Sequence, residues 1–242
     1  MSVYTVVARA ELEAFLRGYA LGTLDDYAGI EAGIENTNYF VTTTLGEYVL
    51  TLFEVTPTED LDYCLALMAH LADAGIPSAH PLADRRGSYL GELCGKPAAL
   101  VVRLPGRSVT RPDVVHCRAI GTAMARMHLA GTSFARERAA ERGQHWRATV
   151  IERLRAAVDG SERQLLDAIA GDAELAERRD LPHGVIHADL FHDNALFVGE
   201  SLTGIIDFYY AHTGAFVYDL AVSVADWCFG PAGLDAARAR AL

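Results

Sequence analysis

Apolar residues recur at helical spacing near the start of the chain. Leu12, Phe15, Leu16 and Tyr19 predict a first helix within residues 7–20. The period then changes. Tyr27–Gly33, Asn38–Thr44 and Tyr48–Phe53 are β-branched or apolar-rich stretches broken by Gly33 and Leu45-Gly46, the pattern of a three-stranded antiparallel meander. In Thr56-Pro57-Thr58-Glu59, Thr56 can cap a helix, Pro57 suits its first turn and Glu59 completes a capping box. The segment LDYCLALMAHLADAG carries a helical apolar stripe and stops at Gly75. Residues 88–93 and 97–104 read as two more strands, and Leu104-Pro105-Gly106 as a hinge.

Beyond the hinge the pattern becomes mainly helical, over 112–130 and roughly 145–170. The charged run FARERAAERGQHWR between them reads as a solvated helix face or loop. The expectation is an α+β protein of two lobes. Residues 1–104 form a small antiparallel sheet with one inserted helix, and residues 105–242 a helical lobe, with a cleft near Pro105. The terminal GPAGLDAARARAL reads as a helix that has barely begun, with an apolar face lacking a partner, so a longer natural chain is expected.

Composition narrows the function classes. At 242 residues, 51% hydrophobic and 22% charged, the balance is that of an ordinary globular protein. No apolar run approaches the roughly 20 residues that span a bilayer, and the first residues lack the basic-then-apolar order of a signal peptide. A net charge of −11 argues against nucleic-acid and anionic-membrane surfaces, both of which need a basic face. Cys64, Cys94, Cys117 and Cys228 are scattered, with no CxxC pair, and read as reduced thiols of a cytoplasmic protein. Lys96 is the single lysine.

Candidate chemistry lies at residues 187–197, HADLFHDNALF. Val185-Ile186 before it and Ala195–Val198 after it are apolar, so the polar run is a loop held between buried strands. Gly204-Ile205-Ile206 then leads to Asp207, and a carboxylate at the end of a buried strand is costly unless paired or bound to a cation. Either cluster alone reads as an ordinary turn. Together, H-x-D-x-x-x-x-N followed by apolar-apolar-Asp-Phe is the catalytic loop and metal Asp of kinase-like phosphotransferases. Asp189 would orient the acceptor hydroxyl and take its proton. Asn194 and Asp207 supply hard oxygen ligands suited to Mg²⁺. His187 would brace the loop, His192 would line the cleft wall, and Asp193 is structural.

Competing motifs fail. Gly91–Lys96 resembles a phosphate-binding loop but has one residue too few between its glycines, and Pro97 replaces Ser/Thr. Zinc spacing and a serine-hydrolase elbow are both missing from the sequence. The phosphate-covering loop is expected in AGIENTNYFV, where Gly33 permits close backbone approach and Asn36, Thr37 and Asn38 leave N–H groups to face phosphate.

HADLFHDN and IIDF resemble the aminoglycoside phosphotransferase/choline kinase branch of the protein kinase-like fold. GIENTNYFVTTTLGEYVLTLFE, LMAHLADAGIP, GKPAALVVRLPG, ARMHLAG and DLAVSVADWCF are similar to the homoserine kinases of that branch, from about residue 5 onward. The resemblance implies a bilobal kinase-like fold. It also implies ATP- and Mg²⁺-dependent phosphorylation of the homoserine γ-hydroxyl, for threonine synthesis. It makes Asp189 the catalytic Asp and Asn194 and Asp207 the metal ligands. The strand holding Val101, Val102 and Arg103 would offer backbone groups to adenine. The small zwitterionic substrate needs a carboxylate and a cationic or backbone donor. Asp219, Asp226, Tyr209, Tyr210 and Trp227 are candidates, with Asp219 equally placed to brace its own helix. The partners implied are ATP and homoserine, with the chain a monomer or homodimer.

Three positions depart from the wider pattern. Thr51 stands where kinase-like enzymes place the strand Lys, and Asp62, Tyr63 and Cys64 lie where its Glu partner belongs. Tyr209 replaces the Gly after Asp-Phe, and Ala225 stands where Asn is expected. The Thr at position 51 agrees with the homoserine kinases. It leaves open a kinase for another small alcohol (choline, ethanolamine, methylthioribose or an aminoglycoside), and a nucleotide-binding pseudokinase.

Overall fold

A computed structural model describes residues 3–31, 33, 35–172 and 181–242. The chain divides into two compact units. One runs through Arg107 and takes in Leu196–Val198 and Thr203–Tyr209. The other comprises Ser108–Ala195, Gly199–Leu202 and Tyr210–Leu242. The first unit therefore continues past the expected boundary at 104 and includes two pieces of later chain.

In the first unit, α1 (Arg9–Leu16) precedes the meander β1 (Leu24–Ile30), β2 (Thr37–Thr43) and β3 (Gly46–Leu52). After α2 (Thr58–Asp73) come β4 (Gly91–Leu93) and β5 (Lys96–Val102). The strands form one sheet of order β1-β2-β3-β5-β4, all neighbours antiparallel. Side chains alternate between its faces. Tyr39, Val41, Tyr48, Leu50 and Leu52 face a core completed by Val7, Leu12, Leu16 and Tyr19. Asn38 and Thr51 are partners on neighbouring strands at the alternate positions. That parity places them on the opposite face, with Phe53.

The Gly91–Lys96 segment is a hairpin. Cys94 and Gly95 both take positive φ, 53° and 72°, as a two-residue turn of this hand requires. Two local expectations change. α2 has Pro57 at its N-cap with no side-chain cap, because the extended Pro57 sets the helix start after Thr56 has been passed. Its first turn instead gains Glu59 and Asp60 near the positive end of the dipole. α1 is also shorter than expected, leaving Tyr19 in the turn beyond it but still buried.

The second unit starts α3 (Val114–Gly131) at an Asp113 cap whose carboxylate accepts from Val115 N and His116 N. The helical stretch expected over roughly 145–170 is two helices, α4 (Gln144–Arg155) and α5 (Gly160–Asp172), separated by a turn at Ala156-Ala157, with Gly160 at φ 45° opening the second. Arg155 clamps the pair through Asp167, at 2.6 Å. The charged run before α4 is not wholly solvated. Arg138 is buried, its guanidinium donates to Ala211 O at 3.0 Å, and its backbone carbonyl accepts from Thr213 N at 2.9 Å. Next, β6 (His183–Ile186) pairs antiparallel with β9 (His212–Ala215). Between them β7 (Ala195–Val198) and β8 (Ser201–Ile205) form a hairpin. α6 (Phe216–Trp227), the short pair β10 (Phe229–Gly230) and β11 (Gly233–Leu234), and α7 (Ala236–Ala241) follow.

Candidate active site

The loop after β6 is held by one face of α6. Asp219, Ser223, Asp226 and Trp227 fall at i, i+4, i+7 and i+8, a single helical stripe. Asp219, fully buried, accepts from His187 N at 2.9 Å and from Ala188 N at 2.7 Å. His128 Nε2 of α3 donates to the same carboxylate at 2.8 Å, its ring stacked on Phe216 at 4.3 Å. Ser223 Oγ and Trp227 Nε1 both donate to Leu190 O, at 3.4 and 3.0 Å. Asp226 accepts from His192 N and Nδ1 at 2.7 and 2.8 Å. The loop's backbone is thus pinned at both ends.

These anchors explain the loop's shape. Ala188 has φ 67°, a left-handed conformation disfavoured for a residue with a Cβ. Strain of this kind persists where surrounding bonds over-determine it, and the two donors to Asp219 flank that residue's peptide. Asp189 N donates to His187 Nδ1 at 3.2 Å, which puts the proton of the neutral His187 ring on Nε2. His187 is fully buried and braces the turn from inside.

Asn194 ends the loop in a short 3-10 turn, His192–Asn194. Its Nδ2 donates to Asp189 O at 2.8 Å and to Asp189 Oδ2 at 3.1 Å. That fixes the amide orientation, because both partners can only accept. The carbonyl oxygen Oδ1 is left for a cation or another donor. Asp189 itself is partly exposed, with one carboxylate oxygen steadied by Asn194.

In the first unit, Asp207 lies two residues beyond β8. It is exposed and has φ 65°, a left-handed conformation like that of Ala188. Phe208 is buried, and Tyr209 packs edge-on against Phe53 with ring centroids 4.9 Å apart. Cys64 Sγ of α2 donates to Tyr209 O at 3.6 Å. On the same face of the sheet, Thr51 Oγ1 donates to Asn38 Oδ1 at 2.7 Å. Burial, and then the Asp207 carboxylate, push the Tyr209 phenol above its usual pKa, so it stays protonated.

The expected phosphate-covering segment is the β1–β2 connection, with Gly33 at φ 98°. Asn36 and Thr37 are buried at its end. Thr37 faces inward: Oγ1 accepts from Tyr4 N and Thr5 N at 3.0 and 3.1 Å and donates to Glu54 Oε1 at 2.7 Å. Glu54 also accepts from Thr5 Oγ1 and pairs with Lys96. Burial alone would raise the Glu54 pKa, but hydrogen bonds from Lys96, Thr37 and Thr5 outweigh it and hold the carboxyl below the usual range. The single lysine is therefore committed to the sheet. Of the strand expected to meet adenine, Val101 is buried in the β3–β5 ladder opposite Val49. Val102 N donates to His80 O, and Arg103 N to Glu47 O. The Arg103 guanidinium lies 4.1 Å over the Phe40 ring. Gly106, in the hinge sequence, has φ 105° and no room for a Cβ, which would stand 2.7 Å from Phe197 O.

Sequence reasoning did not find the His128–Asp219 pair, Ser223, the Lys96–Glu54 pair or the Thr51–Asn38 bond. A signal existed for Ser223 in the polar stripe of an otherwise apolar α6. The others join residues far apart in the chain or on neighbouring strands. Among the described residues, no three His, Cys, Asp or Glu side chains cluster as a metal site, and no helix is long and apolar enough to cross a membrane. Mg²⁺ fits the donors present, since it commonly takes one or two protein oxygens and keeps water and phosphate as its other ligands.

The model of the phosphotransferase enzyme family matches residues 26–242. The chain is 50% identical to a homoserine kinase of Methylobacillus flagellatus, covering 100% of this chain and 76% of that protein. It is 48% identical to a homoserine kinase of Xanthobacter autotrophicus, covering 96% and 74%. Among solved structures, an amicoumacin kinase in complex with AMP-PNP and Ca²⁺ superposes with a TM-score of 0.72 at 19% identity, over 92% of this chain and 70% of that one. A spectinomycin phosphotransferase with ADP gives 0.69 at 15%, over 89% and 73%. These likenesses establish the kinase-like α+β fold, and with a family match that spans both the sheet and the HADLFHDN loop, the chain belongs to the phosphotransferase enzyme family.

Proposed function

We propose that the protein transfers the γ-phosphoryl group of ATP to the hydroxyl of homoserine, giving O-phosphohomoserine, in the cytoplasm. The observation that carries this reading is identity near one half, along the whole chain, with a curated homoserine kinase. The amicoumacin and spectinomycin enzymes share the fold at under 20% identity, which leaves the acceptor to the closer relatives.

In this reading Asp189 accepts the hydroxyl proton as the oxygen attacks phosphorus. Asn194 supports it twice, holding one carboxylate oxygen and the Asp189 carbonyl. Its own Oδ1 and the Asp207 carboxylate would hold Mg²⁺, which would supply charge neutralisation for the phosphates. The hairpin β7–β8 starts directly after Asn194 and ends two residues before Asp207, so both ligands belong to one short supersecondary unit. Asp219 and His128 act through the loop backbone. Asp219 and Trp227 are engaged by the protein itself, whereas Asp226 and His192 are partly exposed and are the better candidates for the homoserine ammonium or carboxylate.

The test is ADP release with Mg·ATP and homoserine, choline, ethanolamine, methylthioribose or an aminoglycoside as acceptor. Homoserine should give the highest kcat/KM. Turnover of another acceptor with none for homoserine would overturn the assignment, and nucleotide binding without transfer to any acceptor would make the chain a pseudokinase.

A further inference from the structure

Arg142, at the end of the charged run before α4, is exposed, yet its head group is held by two aromatic residues. Its Nη2 donates to the Tyr210 hydroxyl at 2.6 Å. The guanidinium carbon lies 4.7 Å from the centroid of the same ring and 5.7 Å from that of Trp146, in the first turn of α4. Aromatic faces attract a guanidinium and fix its plane, but neither the rings nor the phenol cancels its charge.

The path of the chain gives that cation its place. Arg138, four residues earlier, is tied twice to the entry of β9, through its guanidinium to Ala211 O and through its carbonyl to Thr213 N. His212 opens β9 and stands opposite Ile186, the last residue of β6, and the two strands are antiparallel. The chain therefore enters the ladder from Tyr210 at the end where it leaves toward Asp189. His212 Nδ1 holds the Tyr210 carbonyl at that end, at 2.9 Å. Asp189 lies three residues past Ile186, and Tyr210 two residues before its partner, all within one unit of the chain. A positioned guanidinium thus belongs to the same end of the ladder as the proposed base. At a net charge of −11 the protein as a whole disfavours an anion, so a ligand carboxylate needs a local cation of this kind. An Arg fork meets a carboxylate with two parallel N–H···O bonds.

We propose that Arg142 is a specificity-determining residue that binds the carboxylate of the acceptor, selecting an amino-acid alcohol over a simple amino alcohol, and that Tyr210 positions its guanidinium. This deepens the proposed transfer to homoserine and rests on it. It leaves Asp226, of opposite sign, to the ammonium. Of the two adjacent tyrosines, Tyr210 serves the acceptor, whereas Tyr209 packs on Phe53.

The experiment titrates homoserine and 3-aminopropan-1-ol into the 242-residue chain with Mg·AMP-PNP, by calorimetry, and measures kcat/KM for both with Mg·ATP. The second compound keeps the hydroxyl and the ammonium and has hydrogen in place of the carboxylate. The wild type should bind homoserine about 10- to 100-fold more tightly, the scale of a charge-assisted hydrogen-bonded pair. Arg142→Met keeps an unbranched side chain against the rings and should erase most of that preference, by weakening homoserine alone. Tyr210→Phe keeps the ring and removes the acceptor for Nη2. It should weaken homoserine about two- to fivefold and leave 3-aminopropan-1-ol unaffected. The double variant should bind homoserine no more weakly than Arg142→Met, because Tyr210 acts through Arg142. Equal losses for both compounds in Arg142→Met would make Arg142 a brace of the fold and overturn the proposal. Equal binding of the two compounds by the wild type, or losses that multiply in the double variant, would overturn it as well. Homoserine turnover that ignores Arg142 would leave the proposed reaction standing without this site. Carboxylate-dependent binding as stated, with no phosphoryl transfer, would sink the reaction and keep the site, and a wild type that binds neither compound would overturn both. Circular dichroism of each variant separates loss of recognition from loss of the fold.

Discussion

The Oδ1 oxygen of Asp219 sits 2.7 Å from the backbone nitrogen of Ala188, the residue at φ 67° two positions after β6. A carboxylate made fully buried by α6 is thus spent on a strained peptide, with His187 N and His128 Nε2 on its other oxygen. Asn at 219 would supply one acceptor oxygen where the loop needs two. Asp219→Asn should therefore leave a buried donor unpaired and lower stability by about 1–3 kcal/mol. It should also lower kcat, because Asp189 follows the loosened peptide. Urea unfolding and steady-state kinetics read the two effects, and a variant with wild-type values in both would show that the loop holds its shape without this anchor.

Asp189→Asn keeps the hydrogen bond to Asn194 possible but removes the proton acceptor. We expect kcat to fall roughly 10²–10⁴-fold, the range for a positioned general base, with nucleotide affinity retained. A rate within twofold of the wild type would remove Asp189 from the proton-transfer role.

Asp207→Ala takes away the one carboxylate proposed for the metal. Turnover at ordinary Mg²⁺ should vanish, and titration to high Mg²⁺ should restore at most a small part of it. Full activity at low Mg²⁺ would place the metal ligands elsewhere.

Lys96→Met should be felt in the fold before the chemistry. It leaves Glu54 with its two threonine donors but without its cation, at a partly buried position, and should cost about 1–3 kcal/mol. The sign of its pH dependence follows. The Glu54 pKa is depressed in the folded chain, so its contribution is present above the ordinary value of 4.5 and is lost as pH falls through the folded value. The gap in stability between wild type and variant should narrow on acidification below pH 4.5. A gap that widened would assign the carboxyl some other partner.

What the sequence made legible was periodic or local. The alternation in β2 and β3 and the stripes of α2 and α3 are one-dimensional patterns, and each element formed within a few residues of its expected bounds. The spacing from His187 to Asn194 was equally readable, because a loop between buried strands must place those side chains together. Two errors came from turn chemistry. Pro57 overrode Thr56 as helix start, and a turn at Ala156-Ala157 divided the helical stretch into two. Arg138 was misjudged because a charged run does not show that one guanidinium will find Ala211 O inside the fold. The bonds from His128 to Asp219 and from Cys64 to Tyr209 O join residues 91 and 145 positions apart, and no local pattern announces them.

His212 offers the last test, in β9 directly opposite Ile186 and hence one residue from the loop. Its Nδ1–H donates to Tyr210 O at 2.9 Å. Burial lowers its pKa below the ordinary 6.5, and nearby Arg138 adds to this, while the Tyr210 carbonyl and Asp219 oppose it. The folded chain therefore keeps His212 neutral at a pH where the unfolded chain binds a proton. Stability from this group is present above pH 6.5 and declines as pH falls toward the folded value, below which it no longer changes. Replacing the ring by Gln keeps a donor for Tyr210 O and removes the titration. Compared with His212→Gln, the wild type should lose stability on going from pH 7.5 to pH 5.5 in urea unfolding. A difference that is flat across that interval would mean that Asp219 and the Tyr210 carbonyl cancel burial, and a wild type that gains would mean that they outweigh it.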